Sequence, residues 1–163
     1  MNIKLDNDFC KKLILQAHKS PRKRSHYNLH KNPNEAVQRL CIALQKGTYV
    51  RPHYHPKSNK WELILALRGV VCLVIFNERG KILEKHILSQ GEAINGVELQ
   101  PHTWHTVYPQ TEDAIIMEVK EGPFTPTQES DFASWAPAEN EDKTVHFLNW
   151  LESAAPGESY IDQ

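Results

Sequence analysis

Between residues 24 and 119 the chain is cut into short runs of alternating or wholly apolar residues, each closed by a cluster of Gly, Pro, Asn, Asp or Ser. Turn signals recur roughly every eight to twelve residues. Runs of this length are too short for helices that bury an apolar stripe, and the turns between them suit antiparallel neighbours. The strand-like runs are 24–30, 37–44, the stretch that opens at Gly47, 61–68, 70–76, 81–88, 93–99, 104–108 and 114–119. At least eight short strands with such spacing predict an antiparallel sandwich or barrel, the class that includes the double-sheet jelly roll.

Helical periodicity is confined to the two ends. Asp6 or Asn7 can cap a short helix carrying Phe9, Leu13, Ile14 and Ala17, with Pro21 beyond it. Near the C-terminus, 144–154 reads as a helix with Val145, Leu148 and Leu151, together with Phe147, as its inner stripe, stopped by Pro156-Gly157. From Gly122 the composition changes: GPFTPTQESDFASWAPAENED holds three prolines, and Phe124, Phe132 and Trp135 are expected as packing anchors of a segment wrapped over the barrel or a second subunit. The expected organisation is therefore an N-terminal helical segment (1–20), a barrel (21–121) and a C-terminal wrap with a helix (122–163).

Chemistry concentrates in GTYVRPHYHPKSNKWELILALRG, residues 47–69, which reads as a strand, a polar turn and a second strand. Residues two apart on a strand share a face, so His53 and His55 project together with Arg51 and Tyr49 behind them. Glu62 opens the second strand and can reach back across the turn. Two imidazoles and a carboxylate suit a divalent first-row metal with positions left open. Upstream, Arg22, Arg24, His26, Asn28 and His30 share one parity, and a basic strand face of this kind can line a pocket for an anionic or hydroxylated ligand. The plainer alternative is a charged edge strand that resists aggregation. Gln38 and Arg39 are further candidates for a pocket wall.

The order Gly47, five residues, His53-Tyr54-His55, then Glu62, six residues and Gly69 resembles the first motif of the cupin superfamily, with six residues between His55 and Glu62 where the motif has three or four. Gly91-Glu92 and Pro101-His102-Thr103-Trp104-His105 resemble the second motif; nine residues separate Gly91 from Pro101, the histidine comes one position early, and Pro109 stands where the motif has asparagine. The succession SPRKRSHYNLH, YVRPHYHPKSNKWEL, PHTWHTVYP, VKEGPF and DFASWAPAE is similar to the WbuC-type cupin-fold metalloproteins, bacterial proteins associated with surface-polysaccharide (O-antigen) clusters. The resemblance implies a single-domain, mainly β cupin jelly roll with a bound divalent transition metal (Fe, Mn, Ni, Co or Zn) and a homodimer. It also implies a metal set of His53, His55, Glu62 and His105, with Arg22, Arg24, His30, Gln38 and Arg51 around it as substrate-binding residues.

For activity, the expectation is isomerase- or epimerase-like chemistry on a sugar or sugar phosphate, with Tyr49 or a histidine behind the metal ligands as the candidate to move the proton. A non-catalytic metal-dependent binder or sensor of carbohydrate or a small acid is the alternative, and an Fe(II)-dependent dioxygenase the second. A metal that merely staples the two sheets is a third reading. Other classes are disfavoured. A net charge of −1 over 163 residues asks for neither nucleic acid nor membrane, and no helix-turn-helix pattern is visible. Charge is uneven, with eight Lys/Arg in residues 1–31 and twelve acids in residues 110–163, so the two ends are expected to attract each other or a partner subunit. Cys10, Cys41 and Cys72, odd in number and without a C-x-x-C, read as reduced core residues. With no signal-peptide pattern in MNIKLDND and no apolar run long enough to span a bilayer, the cytoplasm is the expected location.

Overall fold

The computed structural model describes residues 2–160. Eight strands form, β1 (Arg24–Asn28), β2 (Val37–Gln45), β3 (Glu62–Arg68), β4 (Val70–Phe76), β5 (Ile82–Ser89), β6 (Gly96–Leu99), β7 (Trp104–Pro109) and β8 (Asp113–Glu121), flanked by α1 (Asn7–Lys19) and α2 (Lys143–Ser153), with one 3-10 turn at Glu129–Asp131. All strand pairs are antiparallel, in a five-stranded sheet of order β1-β2-β8-β3-β6 and a three-stranded sheet of order β5-β4-β7. This is the double-sheet jelly roll that the turn spacing predicts.

Four layers follow from the side-chain pattern. Between the sheets lie Ile42 and Leu44 of β2, Ile64 and Ala66 of β3, Val71 and Leu73 of β4, and Ala114 and Ile116 of β8. The outer face of the larger sheet, through Cys41, Ala43 and Ile115, packs on Cys10, Leu13 and Ala17 of α1. Cys72, Val74 and Phe76 of β4 turn to the opposite outer face, beneath Ala133, Ala136, Phe147 and Leu151. That explains why β4 is apolar at every position: both of its faces are covered. Asp6 caps α1 by accepting the Phe9 N–H at 3.0 Å, a contact of about 1 kcal/mol. The three cysteines are buried and unpaired. None of the described helices is long and apolar enough to cross a membrane.

Two expectations need correction. On α2 the buried residues are Phe147 and Leu151, while Val145 is 60% exposed. Residues two apart on a helix differ by about 200° in direction, so Val145 cannot share the Phe147 side. The first half of the 47–69 stretch, moreover, is not a regular strand. Pro52 and Pro56 lack N–H donors, so a continuous ladder cannot form there. Instead His53 makes isolated bridges to His105 on one side and Phe132 on the other. The two motif glycines punctuate the stretch in the left-handed region, Gly47 at φ +80° and Gly69 at φ +70°. A Cβ on Gly69 would also lie 2.5 Å from the Asp113 carbonyl oxygen, so both conformation and space require glycine.

Candidate metal centre and its cavity

The extended segment 52–55 is threaded between β7 and the 131–133 backbone. The His53 N–H donates to the His105 carbonyl at 3.0 Å and the His105 N–H returns to the His53 carbonyl at 2.9 Å. On the other side the Tyr54 N–H donates to the Asp131 carbonyl (3.0 Å) and the Ala133 N–H to the Pro52 carbonyl (2.8 Å). Directly opposed residues place their side chains on one face, and the rings of His53 and His105 lie 4.5 Å apart, centroid to centroid. His55 follows two residues later, and ligand nitrogens of His53, His55 and His105 all fall within 4.8 Å of one another.

His53 and His105 are oriented by the same local device. Each ring donates Nδ1–H to the carbonyl two residues earlier, Arg51 at 3.0 Å and Thr103 at 2.9 Å. That sets the tautomer and leaves Nε2 for the shared centre. Burial, then the neighbouring His105, holds the His53 pKa well below its ordinary value. Burial also lowers His105, but hydrogen bonding and charge from Glu62 outweigh it and leave that pKa raised.

Glu62 is 2% exposed, and its Oε2 lies 3.2 Å from Nε2 of both His55 and His105. Oε1 accepts from Lys120 Nζ at 2.9 Å, and the same ammonium reaches Glu118 Oε2 at 3.1 Å. Burial would raise the Glu62 pKa; Lys120, then the hydrogen bonds from His105 and His55, hold it well below the usual carboxylate range. For Glu118 burial prevails, and with repulsion from Glu62 it pushes the carboxyl up to about 7 against the pull of Lys120. Register explains the assembly. Glu62 of β3 pairs with Lys120 of β8, and Lys120 pairs with Gln38 of β2. These three continue the inward parity of Ile64, Ile116 and Leu40, so a polar row crosses one end of an otherwise apolar interior.

A cavity of about 580 Å³ opens before the histidines, bounded by His53 and His105. Arg22, Arg24, His30, Gln38 and Arg51 all line it. Most of them are already engaged. Arg22 grips Glu139 with Nε (2.8 Å) and a terminal nitrogen (2.9 Å), and Arg24 donates to the same carboxylate and to the Tyr49 carbonyl. Arg51 pairs with Glu129 at 2.7 Å and donates to the Ala133 carbonyl at 3.0 Å. The attraction between the basic N-terminal and acidic C-terminal regions is thus made within one chain. Nδ1 of His30 lies against the backbone of Arg39.

Tyr49 is not brought to the site. Its ring packs on Phe147, its hydroxyl donates to the Pro137 carbonyl at 2.7 Å, and burial raises its pKa. Beyond the left-handed turn at Gly47 no ladder enforces alternation, so its parity with Arg51 carries no shared face. Arg39 also points elsewhere, to Glu35 at 2.6 Å. Conversely, Phe124 and Phe132, expected only as packing anchors, line the cavity, and Arg51 stacks over Phe132 with its guanidinium carbon 5.2 Å from the ring centroid. His26 and Asn28 line the cavity with the rest of the strand face that carries Arg24 and His30. Sequence reading missed Glu118 and Lys120 as wall residues and Glu139 as the acid on the arginines. For the first two the signal was present, as polar residues on inward parity; for Glu139 only the charge asymmetry between the ends hinted at it. A smaller cavity of about 270 Å³ adjoins on the His55 side, sharing Gln38, Lys120, Phe124 and Thr127 with the larger one.

The donor set fits a divalent transition ion: imidazole nitrogens from two separate segments, two with their second nitrogens anchored on carbonyls, and an ionised carboxylate beside them. The set does not select among Fe, Mn, Ni, Co and Zn.

Residues 5–88, just over half of the chain, match the family model described as Domain of unknown function (DUF6016). No curated protein matches the sequence. Among solved structures, the TT1209 protein of Thermus thermophilus is similar over 74% of this chain and 97% of its own, at 20% identity and a TM-score of 0.53. A cupin 2 conserved barrel domain protein from Rhodopseudomonas palustris is similar over 76% and 78%, at 18% identity and a TM-score of 0.50. An oxalate oxidase in complex with the substrate analogue glycolate aligns over 64% of this chain and 54% of its own, at 14% identity and a TM-score of 0.52. At such identities the likeness establishes the fold, a cupin barrel.

Proposed function

The chain belongs to the DUF6016 family, and from that premise, the cupin fold and the histidine cluster we propose that it is a metal-dependent cupin of the WbuC type, with His53, His55, His105 and Glu62 as ligands. We further propose that it acts on a sugar or sugar phosphate by moving a proton next to a carbonyl. The observation that carries the reading is that three buried or half-buried imidazoles converge beside an ionised carboxylate at the edge of a 580 Å³ cavity. A divalent ion held there supplies Lewis acidity toward a substrate oxygen. Lys120 fixes the Glu62 carboxylate by one oxygen. The apolar wall of Leu40, Ile42, Val107 and Ile116 excludes water from the far side of the ligand. With Tyr49 in the core, the cavity-wall group best placed to hold or accept a proton is the Glu118 carboxyl. A homodimer is part of the same proposal, read out by the mass in solution.

The test is metal analysis of protein purified without chelators or a nickel column, followed by turnover with a panel of free sugars, sugar phosphates and nucleotide sugars. About one ion per chain is expected, together with solvent-proton exchange at the carbon beside the carbonyl of one panel member. Sub-stoichiometric metal in intact protein defeats the metal reading. Metal without exchange across the panel replaces the enzyme by a metal-dependent carbohydrate binder, unless substrate-dependent oxygen uptake by the iron form points to the dioxygenase alternative.

A further inference from the structure

Resting on the reading of the larger cavity as the ligand site of the metal centre, we propose that the ligand it takes there is an uncharged hydroxylated molecule with an apolar face, a neutral monosaccharide or glycoside, and that the cavity selects against phosphorylated ones.

The cations decide this. Four line the cavity, Arg22, Arg24, Arg51 and Lys120, and each is held by a carboxylate of the same chain. Glu139 serves both Arg22 and Arg24, Glu129 serves Arg51, and Glu62 and Glu118 serve Lys120. Arg24, 8% exposed, has one terminal nitrogen on Glu139 and the other on the Tyr49 carbonyl. A phosphate monoester carries about −1.5 to −2 charges near pH 7. At the Arg22–Arg24 end it would meet guanidiniums whose donors are already taken by Glu139 and the Tyr49 carbonyl, with the Glu139 carboxylate in the place it needs. That end is also far from the polar row: Arg24 pairs with Leu44, and Gln38 lies six residues further along β2, roughly 20 Å at 3.3 Å per residue.

What the wall still offers is uncharged. His26 and Asn28 on β1 are open to the cavity, and among the described residues neither side chain makes a hydrogen bond to another. Desolvation in the concave wall, then Arg24, Arg22 and Lys120, lower the His26 pKa to about 4, so its ring is a neutral donor and acceptor. Gln38 is 2% exposed; its Nε2 is fixed by the carbonyls of Pro33 (3.2 Å) and Glu35 (2.8 Å), and its Oε1 is buried without a partner. Beside them on the same sheet stand Leu40, Ile42, Leu44 and Ile116, with Val107 on the facing sheet, a surface for the apolar face of a ring.

The experiment uses the full chain with its metal content measured, and titrates neutral hexoses and the corresponding hexose 6-phosphates by calorimetry and saturation-transfer NMR, with inorganic phosphate as a third probe. Wild type is expected to bind at least one neutral hexose at least tenfold more tightly than its phosphate, and to leave inorganic phosphate unbound at concentrations that saturate Glu139→Gln. Glu139→Gln, which frees both guanidiniums, is expected to gain at least tenfold in phosphate and hexose-phosphate affinity relative to wild type. Tighter binding of the phosphorylated partners by wild type, binding of no neutral hexose, or a folded Glu139→Gln with no gain for phosphate would each overturn the proposal. Should the variant not fold, the wild-type comparison of matched pairs decides alone. A protein without metal that still prefers the neutral sugar refutes the metal reading and leaves this one standing; a metal-loaded protein that prefers the phosphate does the reverse.

Discussion

Lys120 holds Glu62 by one oxygen only: its ammonium lies 2.9 Å from Oε1, and Oε2 is left facing His55 and His105 at 3.2 Å each. The lysine thus divides the carboxylate into an anchored oxygen and a free one, and it separates Glu62 from Glu118. Lys120→Met keeps the stem and removes the charge. It leaves two buried carboxylates facing each other, and removing one partner of a buried pair costs about 3–5 kcal/mol. Metal affinity should also fall, by about 10- to 100-fold, because the ligand loses its orientation. Denaturant melts of the chelated protein and competition with a metal indicator measure the two effects; an unchanged affinity would show that Lys120 does not position Glu62.

His105→Ala should abolish stoichiometric metal binding without collapsing the fold. The core between the sheets is built from Leu44, Ile64, Leu73, Leu88 and Ile116, none of which depends on the histidines. Chelation of wild type should therefore lower the stability only by what mass action supplies, about 2.7 kcal/mol when free metal stands at 100 times its dissociation constant. Unfolding on chelation would instead make the ion a structural staple.

The barrel was legible because its turns are chemically explicit and β4, β7 and β8 begin or end beside them. Part of the site was legible too, since His53 and His55 are close in sequence and His105 follows a turn. The polar row was harder to see. Gln38, Glu62 and Lys120 belong to three strands, and only the register β2-β8-β3 shows that they are neighbours. Glu139 was out of reach, because nothing local to residue 139 says that it returns to Arg22 across 117 positions. Tyr49 misled for the opposite reason: a period of two was carried into a segment that proline had removed from any ladder.

Tyr49→Phe separates the core role from a catalytic one. Loss of the hydroxyl leaves the Pro137 carbonyl without its donor and should cost about 1 kcal/mol, seen as a melting temperature lower by several degrees. Metal content and ligand affinity should not move. A selective loss of turnover at unchanged stability would restore Tyr49 as the proton-moving group.

His26 should remain neutral well into the acid range. Desolvation, with Arg24, Arg22 and Lys120 adding repulsion, lowers its pKa to about 4, whereas an unfolded chain takes up that proton near 6.5. Between these values the unfolded state binds more protons than the folded one, so stability falls as pH is lowered through the window and the full penalty is reached below the folded value. His26→Gln removes the group from both states and should therefore gain on wild type as pH drops from about 7.5 to about 4.5. Urea melts at several pH values follow that gain, while the Hε1 resonance of His26 reports the site directly. A midpoint near the ordinary value of about 6.5 for that resonance would mean the cavity wall does not suppress the charge, and His26 would then bring a positive charge to the ligand site under mildly acid conditions.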